Sequence, residues 1–191
     1  MTMQTEKPGE YIVLLDEAGN EIGTAPKLAS HHMHTPLHKA FSCYVFDDQG
    51  RFLVTQRAKS KKVWPGVWTN SVCGHPGPGE SDEAAIARRA LDELGMTVRD
   101  ITPLLPDYRY STPPFDGIIE NEVCPVYAAR LNTSSAINPD EIESCLWTPW
   151  SDYVADITAN PDKYSYWAKD QLKQLQNHPV IGEFAKGTNL S

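Results

Sequence analysis

Short apolar runs separated by turn-forming segments divide the first half of the chain into strands. Tyr11–Asp16 and Glu21–Thr24 flank the turn sequence EAGN and predict a first hairpin. Residues 38–46 and 51–57 carry aromatic and β-branched side chains on either side of DDQG, which predicts a second hairpin. Val67–Cys73 predicts a further strand, whereas Pro26–Pro36 shows no periodicity.

One segment in the middle of the chain has the period of a helix instead. Ser81 is placed to cap its start, the acidic side chains that follow suit the positive end of the helix dipole, and Gly95 predicts its end. Apolar residues of DEAAIARRALDEL recur at helical spacing and predict one buried stripe, made of Ile86, Ala87, Ala90, Leu91 and Leu94.

The second half of the chain returns to strands before it closes with helices. Leu104–Tyr110 and Ile118–Arg130 predict strands joined by STPPFDG, and Cys145–Trp147 predicts a short one. Helical turns are expected around Trp150–Ala155, and a helix over Ser165–Gln176. Strand-rich halves around a central helix indicate an α/β (α+β) fold, a sandwich with a mixed β-sheet and flanking helices.

The length of 191 residues fits one domain with its own core. We place this domain at residues 10–176, between a flexible N-terminal tail at residues 1–9 and a C-terminal extension at residues 177–191. The early apolar run Tyr11–Leu15 is too short for a signal peptide or a membrane span. The four cysteines form no CxxC pair, so we expect reduced thiols and a cytoplasmic location.

The charge balance restricts the class of partner. A net charge of −8 excludes a nucleic-acid-binding protein of the usual basic kind, because it leaves no excess cations to neutralise phosphates. A small anionic ligand needs only a few local cations and stays compatible with this charge. The composition is compatible with a monomer and shows no membrane segment.

Two pairs of reactive side chains lie at the spacing that puts residues on the same face of a strand. Cys73 and His75 form one pair, in NSVCGHP, and Glu120 and Glu122 form the other, in IIENEVC. Two carboxylates on one face repel each other unless a cation or a shared proton lies between them. A functional pair and a solvated strand face are both compatible with the spacing.

Histidines add a second indication of a metal site. Four lie in HHMHTPLH, namely His31, His32, His34 and His38, and His75 is a fifth. Imidazole together with carboxylate suits a divalent ion such as Mn²⁺ or Zn²⁺. The alternative is a surface run for His32 and His34, and a sheet residue for His38.

The helix and the loop before it resemble the Nudix box, G-x5-E-x7-R-E-U-x-E-E-x-G-U, where U is apolar. Gly74, Glu80, Arg88, Glu93, Gly95 and Met96 agree with this pattern. Arg89 stands where the family has the first glutamate of its metal-binding cluster, and Asp92 replaces the next one. This departure should weaken metal-assisted attack of water on a diphosphate. An ordinary amphipathic helix would explain the Arg/Asp and Arg/Glu pairs, but not the glycines and Glu80.

The segments WPGVWTNSVCGHP and ENEVCPV, on either side of this degenerate box, closely resemble the type I isopentenyl diphosphate isomerase family. The resemblance implies a Nudix-like fold and interconversion of isopentenyl and dimethylallyl diphosphate through a tertiary carbocation. It places the catalytic thiol at Cys73 and the catalytic glutamate at Glu122, on opposite faces of the alkene. We expect Glu122 to donate the first proton and Cys73, as a thiolate, to accept the second.

The resemblance also implies two metal ions. The first, Mn²⁺ with Zn²⁺ or Mg²⁺ as alternatives, would be held by three histidines and two glutamates: His31, His38, His75, Glu120 and Glu122. The second, Mg²⁺, would be held by the diphosphate of the substrate, the backbone carbonyl of Cys73 and the carboxylate of Glu93.

Further positions match residues that contact the substrate in this family. Lys27, Arg57 and Lys61 would bind the diphosphate. Tyr110 would donate a hydrogen bond to the catalytic glutamate, and Trp167 would cover the isoprenoid carbon, although either aromatic residue could simply belong to the core. Lys59 and Lys62 fit a solvated basic loop better.

Two other functions remain open from the sequence. A Nudix hydrolase of nucleoside diphosphates would keep the fold and the Mg²⁺ but would not need Cys73, and Arg89 argues against it. A non-catalytic metal-binding or regulatory protein could also use the same scaffold.

Overall fold

The computed structural model describes residues 10–188. The predicted tail at residues 1–9 and the last three residues of the predicted C-terminal extension lie outside this range. No helix within residues 10–188 is long and apolar enough to cross a membrane.

Strands make up most of the regular structure. In chain order they are β1 (Tyr11–Leu15), β2 (Glu21–Pro26), β3 (His38–Lys39), β4 (Phe41–Phe46), β5 (Phe52–Arg57), β6 (Trp68–Thr69), β7 (Val72–Gly74), β8 (Met96–Leu105), β9 (Arg109–Ser111), β10 (Asn121–Val123), β11 (Val126–Ser134) and β12 (Ile142–Thr148). The α-helices are α1 (Lys27–Ser30), α2 (Asp82–Leu94), α3 (Trp150–Ala159), α4 (Tyr166–Leu175) and α5 (Pro179–Ala185), and a 3₁₀ turn covers Pro161–Lys163.

The strands form two mixed sheets. The smaller sheet has the order β2-β1-β3-β10-β9, and the larger has the order β12-β5-β4-β11-β8, with β6 paired to β5 and β7 to β4. The pairs β3/β10 and β4/β11 are parallel, and the other strand pairs are antiparallel. The α+β sandwich with mixed sheets that the sequence predicts is therefore confirmed.

Strand β4 is buried on both faces and fixes where the core lies. Phe41, Cys43 and Val45 face a cluster that includes residues of α2, whereas Tyr44 and Phe46 face a cluster formed with α3, α4 and α5. Because successive strand residues point to opposite faces, a strand covered on both sides is apolar throughout, as the sequence FSCYVF is.

Two neighbouring chain segments pass from the smaller sheet to the larger one. The first segment is β3 followed by β4, the second is β10 followed by β11, and they run parallel throughout. At the crossing, the N–H of Ala40 donates to the carbonyl of Val123 at 2.9 Å, and the N–H of Ser42 donates to that of Pro125 at 3.0 Å. Polar side chains just before the crossing are thereby brought next to each other.

Helix α2 begins and ends where the sequence predicts. The Ser81 hydroxyl accepts a hydrogen bond from the N–H of Ala84 at 3.2 Å. Gly95 follows the helix in the left-handed region with φ of 60°, and a β-carbon there would lie 2.3 Å from the carbonyl oxygen of Ala136. Glycine is therefore required both by the backbone conformation and by the close approach.

The predicted apolar stripe of α2 is only partly correct. Ile86, Ala90 and Leu94 are buried, but Ala87 is exposed and Leu91 has 54% of its surface accessible. Arg89 and Glu93 are buried instead, because they form an ion pair on the inner face of the helix. The orientation of α2 about its own axis therefore depends on this ion pair, which the pattern of apolar residues cannot predict.

Several predicted strands are divided or shifted. Val67–Cys73 forms two strands with a bend at Asn70 and Ser71, because the Ser71 hydroxyl bonds to the backbone of β4 and β5 there. Ile118–Arg130 breaks before β11 at Pro125, which has no N–H to donate. Strand β8 begins directly after α2 and ends in a turn before Tyr108, so the predicted strand Leu104–Tyr110 is wrong as one element.

Residues after Gln176 are packed onto the rest of the protein. Ile181 and Phe184 of α5 belong to the larger core cluster. The guanidinium of Arg130 donates to the carbonyl oxygens of Asp47 and Phe184, each at 3.1 Å, and so connects α5 to β11.

The orientation of α2 predicts a large effect for one leucine-to-alanine substitution and almost none for another. Leu94→Ala is expected to lower the free energy of unfolding by about 2–5 kcal/mol, because Leu94 is fully buried and its truncation leaves a cavity in the core. Leu91→Ala, the matched control on the exposed face, is expected to change it by less than about 0.5 kcal/mol. Urea unfolding followed by circular dichroism measures both, and equal losses would contradict the observed orientation.

Candidate functional site

The polar side chains brought together at the crossing form a cluster of imidazoles and carboxylates. His38 on β3 and Glu122 on β10 are register partners, and Tyr110 on β9 is opposite Glu122 on its other side. The Glu122 Oε1 atom lies 3.1 Å from His75 Nε2 and 3.5 Å from His38 Nε2, and these two nitrogens lie 3.2 Å apart. His31 Nε2 lies 3.4 Å from Glu120 Oε2.

Two of the imidazoles are oriented by backbone carbonyls. His31 Nδ1 donates to the carbonyl of Lys27 at 2.6 Å, and His38 Nδ1 donates to that of Pro36 at 2.9 Å. A carbonyl oxygen can only accept, so both Nδ1 atoms carry a proton, and the neutral form of each ring presents the lone pair of Nε2 to the cluster. Metal-binding histidines are commonly fixed in this way by an outer hydrogen bond.

The electrostatics of the cluster fit a divalent cation. Burial raises the pKa of Glu122, but the neighbouring imidazoles of His38 and His75 outweigh it and hold the pKa well below the usual value. Burial lowers the pKa of His75 to about 3, so this ring is neutral. An ionised carboxylate with neutral imidazoles is the protonation state that metal binding requires.

The two remaining ligand candidates, His31 and Glu120, also lie close to the cluster. His31, His38 and His75 offer nitrogens within 4.8 Å of one another, as do His38, Glu120 and Glu122 with their ligand atoms. Glu120 Oε2 is buried and, among the described residues, has no hydrogen-bond partner. Burial lowers the pKa of His31, but Glu120 outweighs it and raises the pKa above the usual value. These three histidines and two glutamates therefore fit a metal ion bound by five protein ligands.

His32 and His34 lie outside this cluster. Both are exposed, with ring centroids 6.4 Å apart, in the position that a surface run would give them.

The Cys73 side chain lies on β7, directly opposite Ser42 of β4. Its sulphur lies 3.4 Å from the Ser42 hydroxyl and donates to the side-chain oxygen of Asn70 at 3.1 Å. Burial raises the pKa of Cys73 to about 12, and the charge of Glu122 acts in the same direction. The thiolate expected at Cys73 therefore depends on the charge of a nearby metal ion, because residues 10–188 place no cation beside the sulphur and keep it protonated.

A cavity of about 200 Å³ opens beside His75 and is lined by Arg88, which pairs with Glu80, and by two further cations, Lys27 and Arg89. Both are paired with Glu10, whose carboxylate lies 2.8 Å from Lys27 Nζ and 3.3 Å from Arg89 Nη1. Burial raises the pKa of Glu10, but Lys27 and Arg89 outweigh it and lower the pKa to about 2. A negatively charged group thus already lies between the cations.

Arg89 is a candidate anion-binding residue that sequence reasoning missed. It also pairs with Glu93, lies 3.7 Å from Glu141, and its buried Nε has no partner among the described residues. The departure of Arg89 from the Nudix pattern is the signal in the sequence, but by itself it indicates only a lost metal ligand.

Glu93 and Lys61 lie in the same network of charges. Glu93 is buried against Arg89, and burial raises its pKa although Arg89 acts in the opposite direction. Lys61 pairs with Glu141. Both Glu93, the predicted metal ligand, and Lys61, the predicted diphosphate ligand, therefore form ion pairs within the protein.

Arg57 lies apart from this network. Its guanidinium donates to the carbonyls of Val63 and Trp64 at 3.0 and 3.1 Å, and lies 5.8 Å over the ring of Trp167. Arg57 therefore holds the basic loop that follows it against the indole.

The two predicted aromatic residues are both buried. Trp167 on α4 meets Trp64 edge to face at 5.5 Å, and its indole N–H donates to Asn70 at 3.3 Å. Tyr110 stacks on Tyr108 at 5.6 Å and, within residues 10–188, makes no hydrogen bond to Glu122. Burial and the charge of Glu122 raise the pKa of Tyr110 well above its usual value, so its hydroxyl stays protonated.

Comparison with known proteins gives two kinds of match. The NUDIX domain family matches residues 36–169. A Citrobacter koseri protein named isopentenyl-diphosphate Delta-isomerase is 47% identical over 94% of this chain and 99% of its own length. A protein of the same name from Agromyces mediolanus is 48% identical over 96% of this chain and 87% of its own.

Solved structures support the fold alone. A Deinococcus radiodurans protein aligns with a TM-score of 0.66 and 22% identity, covering 86% of this chain and 98% of that one. A MutT NUDIX hydrolase from Burkholderia pseudomallei aligns with a TM-score of 0.54 and 22% identity, covering 73% and 98%.

The position of Glu10 predicts that it competes with anions for Lys27 and Arg89. Glu10→Gln is expected to strengthen binding of inorganic diphosphate about fivefold, since a partly exposed ion pair is worth about 1 kcal/mol. Isothermal titration calorimetry measures this affinity. The control Glu17→Gln, at an exposed pair with Arg109, should leave it unchanged. Weaker binding in Glu10→Gln would instead mean that Glu10 organises the cations.

Proposed function

The chain belongs to the NUDIX family and, within it, to the isopentenyl-diphosphate Delta-isomerases, and we propose that it interconverts isopentenyl and dimethylallyl diphosphate. Identity of 47–48% over nearly the whole chain supports this activity. The single observation that carries the chemistry is the juxtaposition of a buried thiol, a buried carboxylate and a set of convergent metal ligands at one crossing between two sheets.

The reaction needs two proton transfers on one five-carbon chain. A proton is added to C4 of isopentenyl diphosphate, which leaves a tertiary carbocation at C3, and a proton is then removed from C2 to form the new double bond. Cys73 and Glu122 are the proposed pair for these transfers, and they exchange roles in the reverse direction. The order with Glu122 first requires a thiolate at Cys73, whereas burial keeps the sulphur protonated, so experiment must assign the order.

The surroundings of Cys73 suit a carbocation. Trp167 and Trp64 form an apolar wall beside the thiol, and both are buried in the larger core cluster. An indole face attracts a desolvated cation by about 2 kcal/mol without reacting with it. Exclusion of water by this wall would protect the intermediate from hydration.

A divalent metal ion is the implied cofactor. His31, His38, His75, Glu120 and Glu122 would hold it, and this mixture of imidazole and carboxylate suits Mn²⁺, with Zn²⁺ or Mg²⁺ as alternatives. When bound, the ion supplies positive charge that strengthens neighbouring acids and favours a thiolate. A second ion, Mg²⁺, would bind with the substrate diphosphate, the Cys73 carbonyl and Glu93.

The diphosphate would bind in the cavity beside His75. Lys27 and Arg89 line this cavity, and Arg89 offers the guanidinium geometry that suits phosphate oxygens. Lys61 would add a further charge once the substrate competes with Glu141. In this proposal Arg57 acts on the hydrocarbon side, because its guanidinium holds the loop that packs on Trp167.

Phosphate hydrolysis is disfavoured at the same helix. Arg89 occupies the position of a metal-binding glutamate and neutralises the neighbouring Glu93. The helix therefore lacks the cluster of free carboxylates with which it could hold several ions around an attacking water.

Loss of either proposed proton-transfer group is expected to abolish isomerisation. Cys73→Ala and Glu122→Gln should each lower kcat at least about 1,000-fold, because each removes one of two obligatory transfers. Proton NMR of isopentenyl diphosphate in D₂O measures formation of the dimethylallyl isomer and the site of deuterium entry. Cys145→Ala, at a partly buried thiol on β12, should retain full activity.

Deuterium entry into the new methyl group without Glu122 would assign the first transfer to Cys73. Release of phosphate by the unaltered protein, without formation of the isomer, would contradict the proposed function.

The metal centre is tested by a pair of histidine variants. His38→Gln should lower bound metal and activity together by at least about tenfold, because it removes one ligand from the buried set. His34→Gln, at an exposed histidine of the same segment, should keep both. Elemental analysis after loading with Mn²⁺, Zn²⁺ or Mg²⁺ measures occupancy. Normal metal content in His38→Gln would contradict the assigned ligands.

A further inference from the structure

Asn70 lies at the bend between β6 and β7 and has none of its surface exposed. Its side-chain oxygen accepts hydrogen bonds from Cys73 Sγ at 3.1 Å, from the indole nitrogen of Trp167 at 3.3 Å and from the Thr69 hydroxyl at 2.9 Å. Its amide nitrogen donates to the carbonyls of Cys43 and Val72, each at 3.4 Å.

These partners allow only one orientation of the amide. An indole N–H can only donate, so the atom facing Trp167 must be the oxygen. Backbone carbonyls can only accept, so the atom facing Cys43 and Val72 must be the nitrogen. The hydrogen-bond partners therefore determine which amide atom is the oxygen, and a flipped amide is excluded.

If Asn70 served only to form hydrogen bonds with the backbone at the bend, its side-chain oxygen would not need partners. The nitrogen of Asn70 already serves the backbone, whereas two of the three groups on its oxygen are side chains of β7 and α4. These two, Cys73 and Trp167, are the groups that the isomerisation places around the alkene. One buried atom thus connects the thiol and the indole.

We propose that Asn70 is a positioning residue that fixes the Cys73 thiol and the Trp167 indole relative to each other through its single side-chain oxygen. The inference rests on the proposed function, which gives these two groups their roles. A displacement of about 1 Å at a reacting group can cost about 100-fold in rate, so a shared anchor has a measurable effect.

Other contacts hold β6 and α4 together without Asn70. The N–H of Ser165 donates to the carbonyl of Trp68 at 2.8 Å, and the Ser165 hydroxyl lies 2.9 Å from that of Thr69. Ser165 also caps α4 through the N–H of Ala168. A substitution at Asn70 is therefore expected to release the two side chains locally and leave the packing of the helix in place.

The test compares Asn70→Leu, of similar size, with the control Thr69→Val. Asn70→Leu should lower kcat about 100-fold and leave KM for isopentenyl diphosphate within about twofold, because the diphosphate cavity is unaffected. Thr69→Val removes the third donor to the same oxygen and the contact with the Ser165 hydroxyl, but it touches neither Cys73 nor Trp167, and the backbone bond from Ser165 to Trp68 still joins β6 to α4. It should keep kcat within about threefold of the unaltered enzyme.

A spectroscopic signature separates positioning from loss of folding. The indole ¹H–¹⁵N signal of Trp167, assigned by its disappearance in Trp167→Phe, should move upfield in Asn70→Leu while the other tryptophan signals stay in place. If Asn70→Leu does not fold, Asn70→Ala is measured in the same way with the same expectations. In the Trp167→Phe background, the kcat penalty at position 70 should shrink, since the two changes break one shared contact.

Three results would overturn the proposal: an unmoved Trp167 signal, an equal loss of kcat in Thr69→Val, or full additivity of the changes at positions 70 and 167. Absence of isomerase activity in the unaltered protein would overturn the proposed function instead, and the indole signal would still test whether Asn70 anchors Trp167.

Discussion

The parallel pairing of β3 with β10 is the contact on which the candidate site depends. It places His38 directly beside Glu122, and the crossing that follows carries both chain segments into the larger sheet. Lone pairs of His38 and the carboxylate of Glu122 then face each other inside the protein. Such groups are costly to bury unless a cation compensates them, so this pairing creates a requirement that a metal ion would satisfy.

Charge in the neighbouring cavity is balanced within the protein. Lys27 and Arg89 are paired with Glu10, Glu93 and Glu141, and most of these groups come from separate elements. Buried charges without partners would destabilise the fold, whereas paired ones can remain until an anionic ligand competes for them. Helix α2 thus presents the cation of Arg89 at a position where a NUDIX hydrolase would need a carboxylate.

Polar and apolar chemistry are separated across this crossing. Imidazoles, carboxylates and the cationic cavity lie on the side of His75, while Cys73 packs against the larger core cluster together with Trp167 and Trp64. An allylic diphosphate has the same division, with a charged head and a hydrocarbon tail. Asn70 lies on the apolar side, where its buried amide connects elements that are distant along the chain.

Local patterns determined much of this protein. The capped helix α2, the two hairpins and the mixed α+β class follow from spacing, turn residues and apolar periodicity, because these act between near neighbours. Motif resemblance also singled out Cys73, Glu122 and the histidines as one group. Tertiary structure alone decided that Leu91 faces water while Arg89 and Glu93 are buried, since Arg89 also pairs with Glu10 and Glu141, which lie outside the helix. It alone brought Glu10 and Asn70 into the site, because their partners lie on strands and helices that only folding brings near.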